Sequence, residues 1–339
     1  MNRIIKWGLI GLGNASFNLA SEFKNTNNSE LIAIASKTKD KLEQFKKKFN
    51  ISNQNAYSDY DNIFKNNDID VIFIGLPNSM HEHFCLKALE YNKNVLVEKP
   101  ITNNFESFLR IKKEFLKKNL LVEEGTANKY HPFYTDALNV LSNLDQSKIY
   151  KIKSSFGNDA LGGKKIFGFR LKKIDTNKRL FNQSLGGGAI LDGGIYPVSL
   201  IVDILNLYQN NYFENFAINK CLNKISNNID LNSKIFGKTK NIDIEIETSL
   251  IDNLDNNLEV YTKNEIIKIN NIFNISSNSS IETIIENKTE KKINIIENNS
   301  YFYEIKEISQ LLIENNFFRE RFDKIEKNIK FLSNWILRK

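Results

Sequence analysis

The chain has few of the residues that cross-link a protein or break its backbone. Its 339 residues include two cysteines, Cys85 and Cys221, which exclude a disulfide framework and favour a reducing, cytoplasmic environment. No apolar run reaches the roughly 18 to 20 residues of a membrane helix, so no membrane association is expected. No proline follows Pro197 and no glycine follows Gly237. Turns beyond these positions are therefore expected at asparagines, which tolerate the left-handed conformation.

Charge of neither sign dominates the chain. It has 47 Lys and Arg against 40 Asp and Glu, which gives a formal net charge of +7. The densest basic runs, 46–48 and 291–292, are short and contain no interleaved aromatic residues. A nucleic-acid partner would require a concentrated basic patch. We therefore interpret the lysines as a solvated surface and expect no nucleic-acid binding.

The first 125 residues alternate between the patterns of buried strands and of helices. Unbroken apolar runs occur in IIKWGLIGL, ELIAIAS, DVIFIGLP and NVLVEKP, and stretches with helical spacing separate them, such as ASFNLASEFKN and HEHFCLKALEYN. Apolar strands that alternate with helices indicate a parallel sheet covered on both faces. With right-handed crossovers, this order predicts a Rossmann-type dinucleotide-binding domain over residues 1–125.

From about residue 146 the pattern becomes that of strands with one solvated face. The segments SKIYKIKSSFG, KNIDIEIETSLI and LEVYTKN alternate apolar and polar residues, which is typical of antiparallel sheets. The predicted fold class is therefore α/β, with a mostly antiparallel α+β domain over 126–339 for substrate binding and oligomerisation. Its C-terminal helical segments are candidates for packing back on the first domain. Because the exposed face of an open sheet often becomes an interface, a homodimer or homotetramer is expected.

The segment IGLGNAS follows the first predicted strand and opens a helix. Gly11 permits the tight turn and Gly13 lets the backbone approach a pyrophosphate, while Ser16 occupies the position of the usual third glycine. The first helical N–H groups, beginning at Asn14 and Ala15, add a favourable dipole for an anion. This context predicts a dinucleotide cofactor, with a tight turn that holds no ligand as the alternative.

The second predicted strand, LIAIA, is followed by Ser36 and Lys37. Folds that prefer NAD carry an acidic residue near this point, which binds the ribose diol. A hydroxyl and an ammonium group instead suit the 2′-phosphate of NADP. We therefore predict NADP in preference to NAD, with a surface lysine of no special role as the alternative.

The segment LPNSMHEHFC follows the third apolar run. We predict that Pro77 and Asn78 shape the strand end beside the cofactor and that His81 caps or lines the cleft. A metal site is disfavoured, because 81 and 85 share a helix face while 83 points elsewhere, and no fourth ligand is near.

The segment VLVEKPIT ends a further buried strand. Ligands of open α/β sheets bind beyond the carboxyl ends of the strands. Glu98 and Lys99 therefore emerge where cofactor and substrate are expected, and Pro100 fixes the backbone directly after them. A surface lysine at a strand end is the weaker interpretation.

In combination these motifs resemble the Gfo/Idh/MocA oxidoreductase family. The matching segments are GLIGLGNAS, DVIFIGLPNSMH, NVLVEKPIT, NKYHPFY and GGGAILDGGIYPVSLI, in the family's order over roughly the first 200 residues. The branch of dihydrodiol dehydrogenases, NADP-dependent xylose dehydrogenases and sugar-nucleotide ketoreductases is the most similar. The resemblance implies hydride transfer between nicotinamide and a secondary alcohol or ketone of a sugar, polyol, cyclic diol or nucleotide sugar. A regulatory protein of the same fold, which binds the dinucleotide without turnover, is the alternative.

The resemblance also implies roles for individual residues. Lys99 would be the catalytic lysine, Asp192 its polar partner and Tyr196 the proton donor or acceptor. Lys129, which replaces an arginine common in the family, and Tyr130 would contact the substrate. A tyrosine with a pKa of about 10 is a poor base at neutral pH, so a neighbouring ammonium is needed to favour the phenolate. The four-residue spacing predicts Asp192 and Tyr196 on one face of a single helix.

The segment 162–179, GGKKIFGFRLKKIDTNKR, is strongly basic. Two interpretations of it stay open: a solvated loop, and a cleft-edge loop that receives an anionic substrate such as a nucleoside-diphosphate sugar.

Overall fold

A computed structural model describes residues 3–162, 165–166, 169–170, 174–208, 214–286, 288–294, 298–316 and 319–338. The described residues divide into two units, the first drawn from Met1–Tyr130 and Asn298–Glu326 and the second from His131–Glu297 and Lys327–Lys339. The first unit thus extends five residues beyond the predicted boundary at 125 and includes a segment from near the C-terminus.

The first unit contains a six-stranded parallel sheet with the order β3-β2-β1-β4-β5-β6. Its strands are β1 (Ile5–Ile10), β2 (Ser29–Ala35), β3 (Ala56–Tyr57), β4 (Val71–Ile74), β5 (Asn94–Glu98) and β6 (Val122–Gly125). Its helices are α1 (Asn14–Glu22), α2 (Lys39–Lys48), α3 (Tyr60–Phe64), α4 (His81–Glu90), α5 (Phe105–Lys118) and, from the later segment, α9 (Ser300–Glu314). The predicted Rossmann-type parallel sheet is confirmed.

The apolar runs form these strands because both sheet faces are covered. All four residues of β4 are buried, as are Trp7 and Leu9 of β1. Helix α9 packs on this core through Ile305 and Ile308, each 0% exposed, and Ser309 accepts a hydrogen bond of 3.0 Å from the indole of Trp7. Burying each isoleucine contributes about 1.5–3 kcal/mol, and the hydrogen bond about 1 kcal/mol. Apolar burial therefore contributes most to holding α9 in the first unit.

The second unit contains an eight-stranded sheet with the order β10-β11-β12-β7-β13-β14-β15-β16. Its strands are β7 (Ile149–Gly157), β10 (Ala217–Ser226), β11 (Ile229–Thr239), β12 (Ile242–Ser249), β13 (Asn257–Thr262), β14 (Ile266–Asn270), β15 (Ser280–Ile285) and β16 (Lys288–Ile293), with β8 (Lys165–Ile166) and β9 (Phe169–Arg170) pairing separately. Its helices are α6 (Pro132–Ser142), α7 (Ala189–Asp192) and α8 (Ile195–Leu207), and α10 (Arg319–Ile336) continues into it from the first unit. Only the pairing of β12 with β7 is parallel among the described strands of this sheet, so the predicted mostly antiparallel sheet is confirmed.

Asparagine shapes turns in both units, and beyond Pro197, where the sequence predicts it, five of the seven described non-glycine residues with positive φ are asparagines. Eight of the ten described non-glycine residues with positive φ are asparagines. Asn227 and Asn228, with φ of 50° and 61°, form the two-residue turn between β10 and β11. Positive φ at both central residues gives the turn a twist that matches that of the flanking strands.

Among the described residues, no single helix is long and apolar enough to cross a membrane. The bent pair Gln183–Asp192 and Ile195–Leu207 meets the length and composition criteria together. Most of its second member, α8, is buried within the protein.

Candidate active site

The turn after β1 is built on two glycines with different constraints. Gly11 has φ of +79°, and a Cβ there would lie 2.6 Å from the carbonyl oxygen of Gly75. The turn is closed by hydrogen bonds from the Gly11 amide to Ala35 O (3.1 Å) and from the Gly13 amide to Gly11 O (3.0 Å). A side chain at Gly11 is therefore excluded both by conformation and by space.

Gly13 has neither constraint. Its φ of −93° suits any residue, and, apart from its neighbours along the chain, no described residue has a heavy atom within 4 Å of a Cβ built on it. It is the N-cap of α1, and no side-chain hydrogen bond caps this helix start. The first N–H groups of α1 therefore lack a side-chain cap beside open space, which is the arrangement that binds an anion such as a pyrophosphate. Asn14 and Ala15, the next predicted cofactor residues, form the first turn of the same helix.

Ser16 fits where a third glycine is more usual. Its side chain is 0% exposed, and its Oγ donates to the carbonyl oxygen of Gly11 at 2.5 Å. The hydroxyl thus ties the first turn of α1 back to the glycine turn, and it directs no polar atom to solvent.

The two residues predicted to select NADP differ in exposure. Ser36 is 3% exposed, and its Oγ accepts a hydrogen bond of 3.1 Å from the Thr38 amide, so it shapes the turn after β2. Lys37 is exposed, with its ammonium nitrogen 5.4 Å from the ring centroid of Tyr60. Lys37 is therefore the residue of the pair that offers an exposed charge.

His81 lies inside the protein rather than on a cleft surface. It is 0% exposed, and its Nδ1 and Nε2 each lie 2.9 Å from a carbonyl oxygen, those of Pro100 and Leu76. The ring thus joins the loops that follow β4 and β5. Pro77 begins the 3-10 turn before α4, and Asn78 in that turn is 5% exposed.

Glu98 is the last residue of β5, and Lys99 follows it directly, both partly buried. The loop after them is fastened by Glu124 of β6, which is 1% exposed and whose Oε1 accepts from the Ile101 amide at 2.9 Å. Glu124 was not among the residues predicted from the sequence. We interpret Glu124 as fixing the backbone that carries Lys99.

Lys129 and Tyr130 end the 3-10 turn Ala127–Tyr130, and both are partly buried. Desolvation raises the pKa of Tyr130 well above its ordinary value, and the nearby carboxyl group of Glu123 adds to the rise. Its phenol therefore stays protonated at neutral pH and can act as a hydrogen-bond donor. Arg321 compensates Glu123 through a contact of 3.0 Å.

The prediction of one helix carrying both Asp192 and Tyr196 is wrong. Asp192 is the last residue of α7 and Tyr196 the second of α8, and the axes of 183–192 and 195–207 are inclined by 50°. The break falls at Gly193 and Gly194, where the Gly194 amide donates to Ala189 O at 2.9 Å and the Tyr196 amide to Gly193 O at 3.2 Å. The four-residue spacing therefore does not place the two side chains one helical turn apart.

A cation contacts Asp192 directly. Nη2 of Arg179 donates to Oδ1 of Asp192 at 2.7 Å, with the two side chains 36% and 20% exposed. Arg179 begins the 3-10 turn Arg179–Phe181. Arg179 is the last residue of the basic segment 162–179, but its pairing with Asp192 was not predicted, because a separation of 13 residues has no periodic signature.

Tyr196 is packed against two phenylalanines. Its ring centroid lies 4.5 Å from that of Phe156 and 5.8 Å from that of Phe273. Phe156 and Phe273 are 8% and 4% exposed and meet edge to face. The aromatic pair limits how the tyrosine ring can turn and gives one side of it an apolar environment.

Part of the basic segment 162–179 lies outside the described residues, namely 163–164, 167–168 and 171–173. In the described parts of the chain, no three His, Cys, Asp or Glu side chains are placed to hold a metal ion.

Comparison with known proteins supports the first unit as a cofactor domain. Residues 5–126 match the Gfo/Idh/MocA model, described as an oxidoreductase family with an NAD-binding Rossmann fold. The match covers the glycine turn, the strand ends and Lys99.

Two curated relatives extend the likeness beyond that domain. The trans-1,2-dihydrobenzene-1,2-diol dehydrogenase of Xenopus laevis is 29% identical over 203 residues, which are 59% of this chain and 57% of the relative. The dTDP-3,4-didehydro-2,6-dideoxy-alpha-D-glucose 3-reductase of Saccharopolyspora spinosa is 31% identical over 169 residues, 50% of this chain and 46% of the relative. The chain thus matches about half the length of these relatives.

The solved structures share the whole fold. A 3-ketoreductase from Actinomadura kijaniata, in complex with NADP and TDP-benzene, has a TM-score of 0.85 over 99% of this chain and 98% of its own, at 17% identity. At that identity the likeness concerns the fold.

Proposed function

We propose that the chain is an NADP-dependent dehydrogenase or reductase of the Gfo/Idh/MocA oxidoreductase family, whose model matches residues 5–126. Its substrate is a secondary alcohol or ketone of a sugar or a related cyclic diol. The observation that carries the proposal is the start of α1, where Gly13 faces open space and the first N–H groups have no side-chain cap.

The glycine turn fits a dinucleotide for a reason internal to this chain. Neither the backbone conformation of Gly13 nor a neighbouring protein atom requires a glycine there. A glycine at such a position is explained if a group outside the protein comes close to the backbone. Gly11, Gly13 and the first turn of α1 would hold the pyrophosphate, and Lys37 would hold the 2′-phosphate that distinguishes NADP from NAD. NAD is the second choice.

The catalytic assignment names three residues, Lys99, Asp192 and Tyr196. A bound nicotinamide supplies or accepts the hydride. The Lys99 ammonium stabilises negative charge on the reacting oxygen, and the Tyr196 hydroxyl donates or accepts its proton. Asp192 orients its partners by accepting hydrogen bonds. The packing of Tyr196 against Phe156 and Phe273 supports this role, because it restricts the directions in which the hydroxyl can point.

The relatives suggest the substrate classes to test. One is named for a cyclic diol and the other for a dTDP-linked keto sugar. Both substrates present a ring carbon that changes between alcohol and ketone, and they differ in charge. A sugar or cyclic diol that carries this group is therefore the proposed substrate class, and a nucleotide sugar is its anionic member. We expect the chain to act on it as a homodimer or homotetramer.

A cofactor titration followed by a turnover assay tests the proposal. Fluorescence titration with NADPH and NADH is expected to show tighter binding of NADPH. The purified chain is then assayed at 340 nm with trans-1,2-dihydrobenzene-1,2-diol, D-xylose and D-glucose in the oxidative direction and with a dTDP-linked keto sugar in the reductive one. Turnover of at least one member supports an enzyme. Tight binding without any turnover would favour the dinucleotide-binding regulatory protein instead.

A further inference from the structure

The ion pair between Arg179 and Asp192 points to a role for Arg179 in the second unit. We propose that Arg179 is a positioning residue, which holds the Asp192 carboxylate in one direction and compensates its charge. Because of this compensation, the second unit can receive an anionic substrate beside Asp192. The proposal deepens the proposed function and rests on it wherever turnover is the readout.

The backbone between the two residues is built to bring them together. The 3-10 turn that Arg179 begins is anchored by Phe181, which is 2% exposed in an apolar cluster. The Gly188 amide donates to Leu180 O at 3.0 Å, and a Cβ on Gly187 would lie 2.6 Å from that same oxygen. The glycine segment therefore lies directly against the Arg179 turn, which only residues without a side chain permit.

The other end of the pair is fixed just as firmly. The Asp192 amide donates to Gly188 O at 3.0 Å, and the start of α7 is held by Asp230, whose Oδ2 accepts from the Ile190 amide at 2.7 Å. A Cβ on Gly188, which has φ of +117°, would lie 2.7 Å from Oδ1 of Asp230. Backbone hydrogen bonds and close packing thus hold the main chain at both residues independently of the ion pair, and the ion pair acts on the direction of the Asp192 side chain.

The energetics argue against a purely structural role. Ion pairs between partly exposed side chains contribute little to the stability of a fold, and these two are 36% and 20% exposed. A guanidinium nevertheless fixes a carboxylate, because its N–H groups donate in set directions in one plane. Charge compensation also matters locally, since an isolated carboxylate repels a phosphate-bearing substrate.

The proposal predicts a loss that depends on the substrate's charge. In Arg179→Gln, kcat/KM for the dTDP-linked keto sugar is expected to fall by about 10- to 100-fold, as misplacement of a reacting group does. The fall for a neutral diol or sugar is expected to be smaller, and affinity for NADPH should stay within about twofold of the wild-type value. Guanidinium ion added to Arg179→Ala should restore part of the lost rate. The ratio of kcat/KM for the dTDP-linked keto sugar to that for the neutral substrate should fall less in the double variant Arg179→Gln/Asp192→Asn than in Arg179→Gln.

Lys178→Gln is the matched control. It removes the exposed positive charge of the residue next to Arg179. If Lys178→Gln lowers the rate with the anionic substrate as much as Arg179→Gln does, the effect is one of general charge and the proposal is wrong. Unchanged kcat/KM in Arg179→Gln would also overturn it.

Crystal structures of the wild-type protein and of Arg179→Ala test the positioning role of Arg179 without a turnover measurement. In the wild-type protein Nη2 of Arg179 should contact Oδ1 of Asp192, and in Arg179→Ala the carboxylate should take a different rotamer or several. An unmoved carboxylate in the variant contradicts the positioning role even if the enzyme proposal holds. If the wild-type protein turns over no substrate but the carboxylate moves, the proposed function fails while the positioning role stands.

Discussion

The Oγ of Ser16 donates to the carbonyl oxygen of Gly11 at 2.5 Å, so the first turn of α1 is bonded to the glycine turn that precedes it. The Ser16 side chain is fully buried, and the Gly13 backbone between the two residues faces open space. The arrangement separates two tasks. Gly11 and Ser16 hold the shape of the turn, and Gly13 leaves room for a ligand.

Alanine substitutions of the two glycines should have opposite effects. Gly13→Ala is expected to leave stability unchanged or to raise it by about 0.4–1 kcal/mol, because its φ suits alanine and the Cβ meets nothing. Its Kd for NADPH should rise about tenfold or more, which is about 1.4 kcal/mol. Gly11→Ala should instead destabilise the fold, since its φ is +79° and a Cβ would lie against Gly75 O. Denaturant unfolding and NADPH titration of both variants measure the contrast. Equal affinity for NADPH in Gly13→Ala and the wild type would count against the site.

Reversing the charge of Lys37 should change the cofactor preference. In Lys37→Glu the Kd for NADPH is expected to rise about tenfold or more, because a carboxylate repels the 2′-phosphate, while the Kd for NADH stays the same or falls. Lys24→Glu, which reverses the charge of another exposed lysine, serves as the control. Fluorescence titrations with NADPH and NADH give the ratio of the two Kd values. An unchanged ratio in Lys37→Glu would remove Lys37 from cofactor selection.

The catalytic assignment predicts large rate losses with intact binding. Lys99→Ala and Tyr196→Phe are each expected to lower turnover by about 100-fold or more, as loss of a general acid–base group does. The Kd for NADPH in Tyr196→Phe should stay near the wild-type value, since the substitution removes one hydroxyl from the second unit. Steady-state kinetics on whichever panel member is turned over measure these losses. Near-normal turnover in Tyr196→Phe would exclude it as the proton donor or acceptor.

Glu304 should make the protein less stable as pH rises. It is 0% exposed on α9, and neither carboxyl oxygen has a hydrogen-bond partner among the residues that the structure describes. Burial, with the charges of Glu98 and Glu123, raises its pKa well above the ordinary value. The folded state thus keeps a proton that the unfolded chain releases above about pH 4.3. Because the folded state then binds more protons, its stability falls as pH rises above that value, until the pKa of Glu304 in the folded protein is passed.

Two variants test this pH dependence. Glu304→Gln keeps the shape without the titration, so it is expected to be more stable than the wild type by about 1 kcal/mol or more at pH 8, with the advantage vanishing near pH 4. Glu314→Gln, an exposed residue on the same helix, should show no such trend. Denaturant unfolding between pH 4 and pH 8 measures both. A constant difference across this range would contradict the account.

The fold could be predicted from the spacing of apolar residues, because each kind of sheet has its own spacing along the strand. Buried parallel strands appear as unbroken apolar runs, and β11 and β12 alternate because one face of their sheet is solvated. The many asparagines in left-handed turns follow from the same reasoning, since few other residues tolerate positive φ. The extent of the first unit was harder to predict from the sequence, because α9 packs on β1 through a contact between residues 302 positions apart.

The site was predicted less completely because its details depend on contacts between distant residues. The GGIY segment fits a continuous helix by its apolar spacing, yet a Cβ on Gly194 would lie 2.5 Å from Ile190 O and 3.1 Å from Trp335, and the helix breaks there. Nothing in the sequence around His81 indicates that its ring lies between two carbonyl oxygens. Arg179 reaches Asp192 by way of a glycine turn that no helical or strand period describes.

Isotope transfer tests the central claim, that the chain moves a hydride between NADPH and a ring carbon of a sugar or cyclic substrate. The protein is incubated with NADPH deuterated at C4 and a dTDP-linked keto sugar, and in the reverse direction with NADP and trans-1,2-dihydrobenzene-1,2-diol deuterated at its carbinol carbons. Mass spectrometry then locates the label. The account predicts deuterium on the carbon of the new alcohol or on the nicotinamide ring, with transfer abolished in Lys99→Ala. Tight NADPH binding with no transfer in either direction would contradict it.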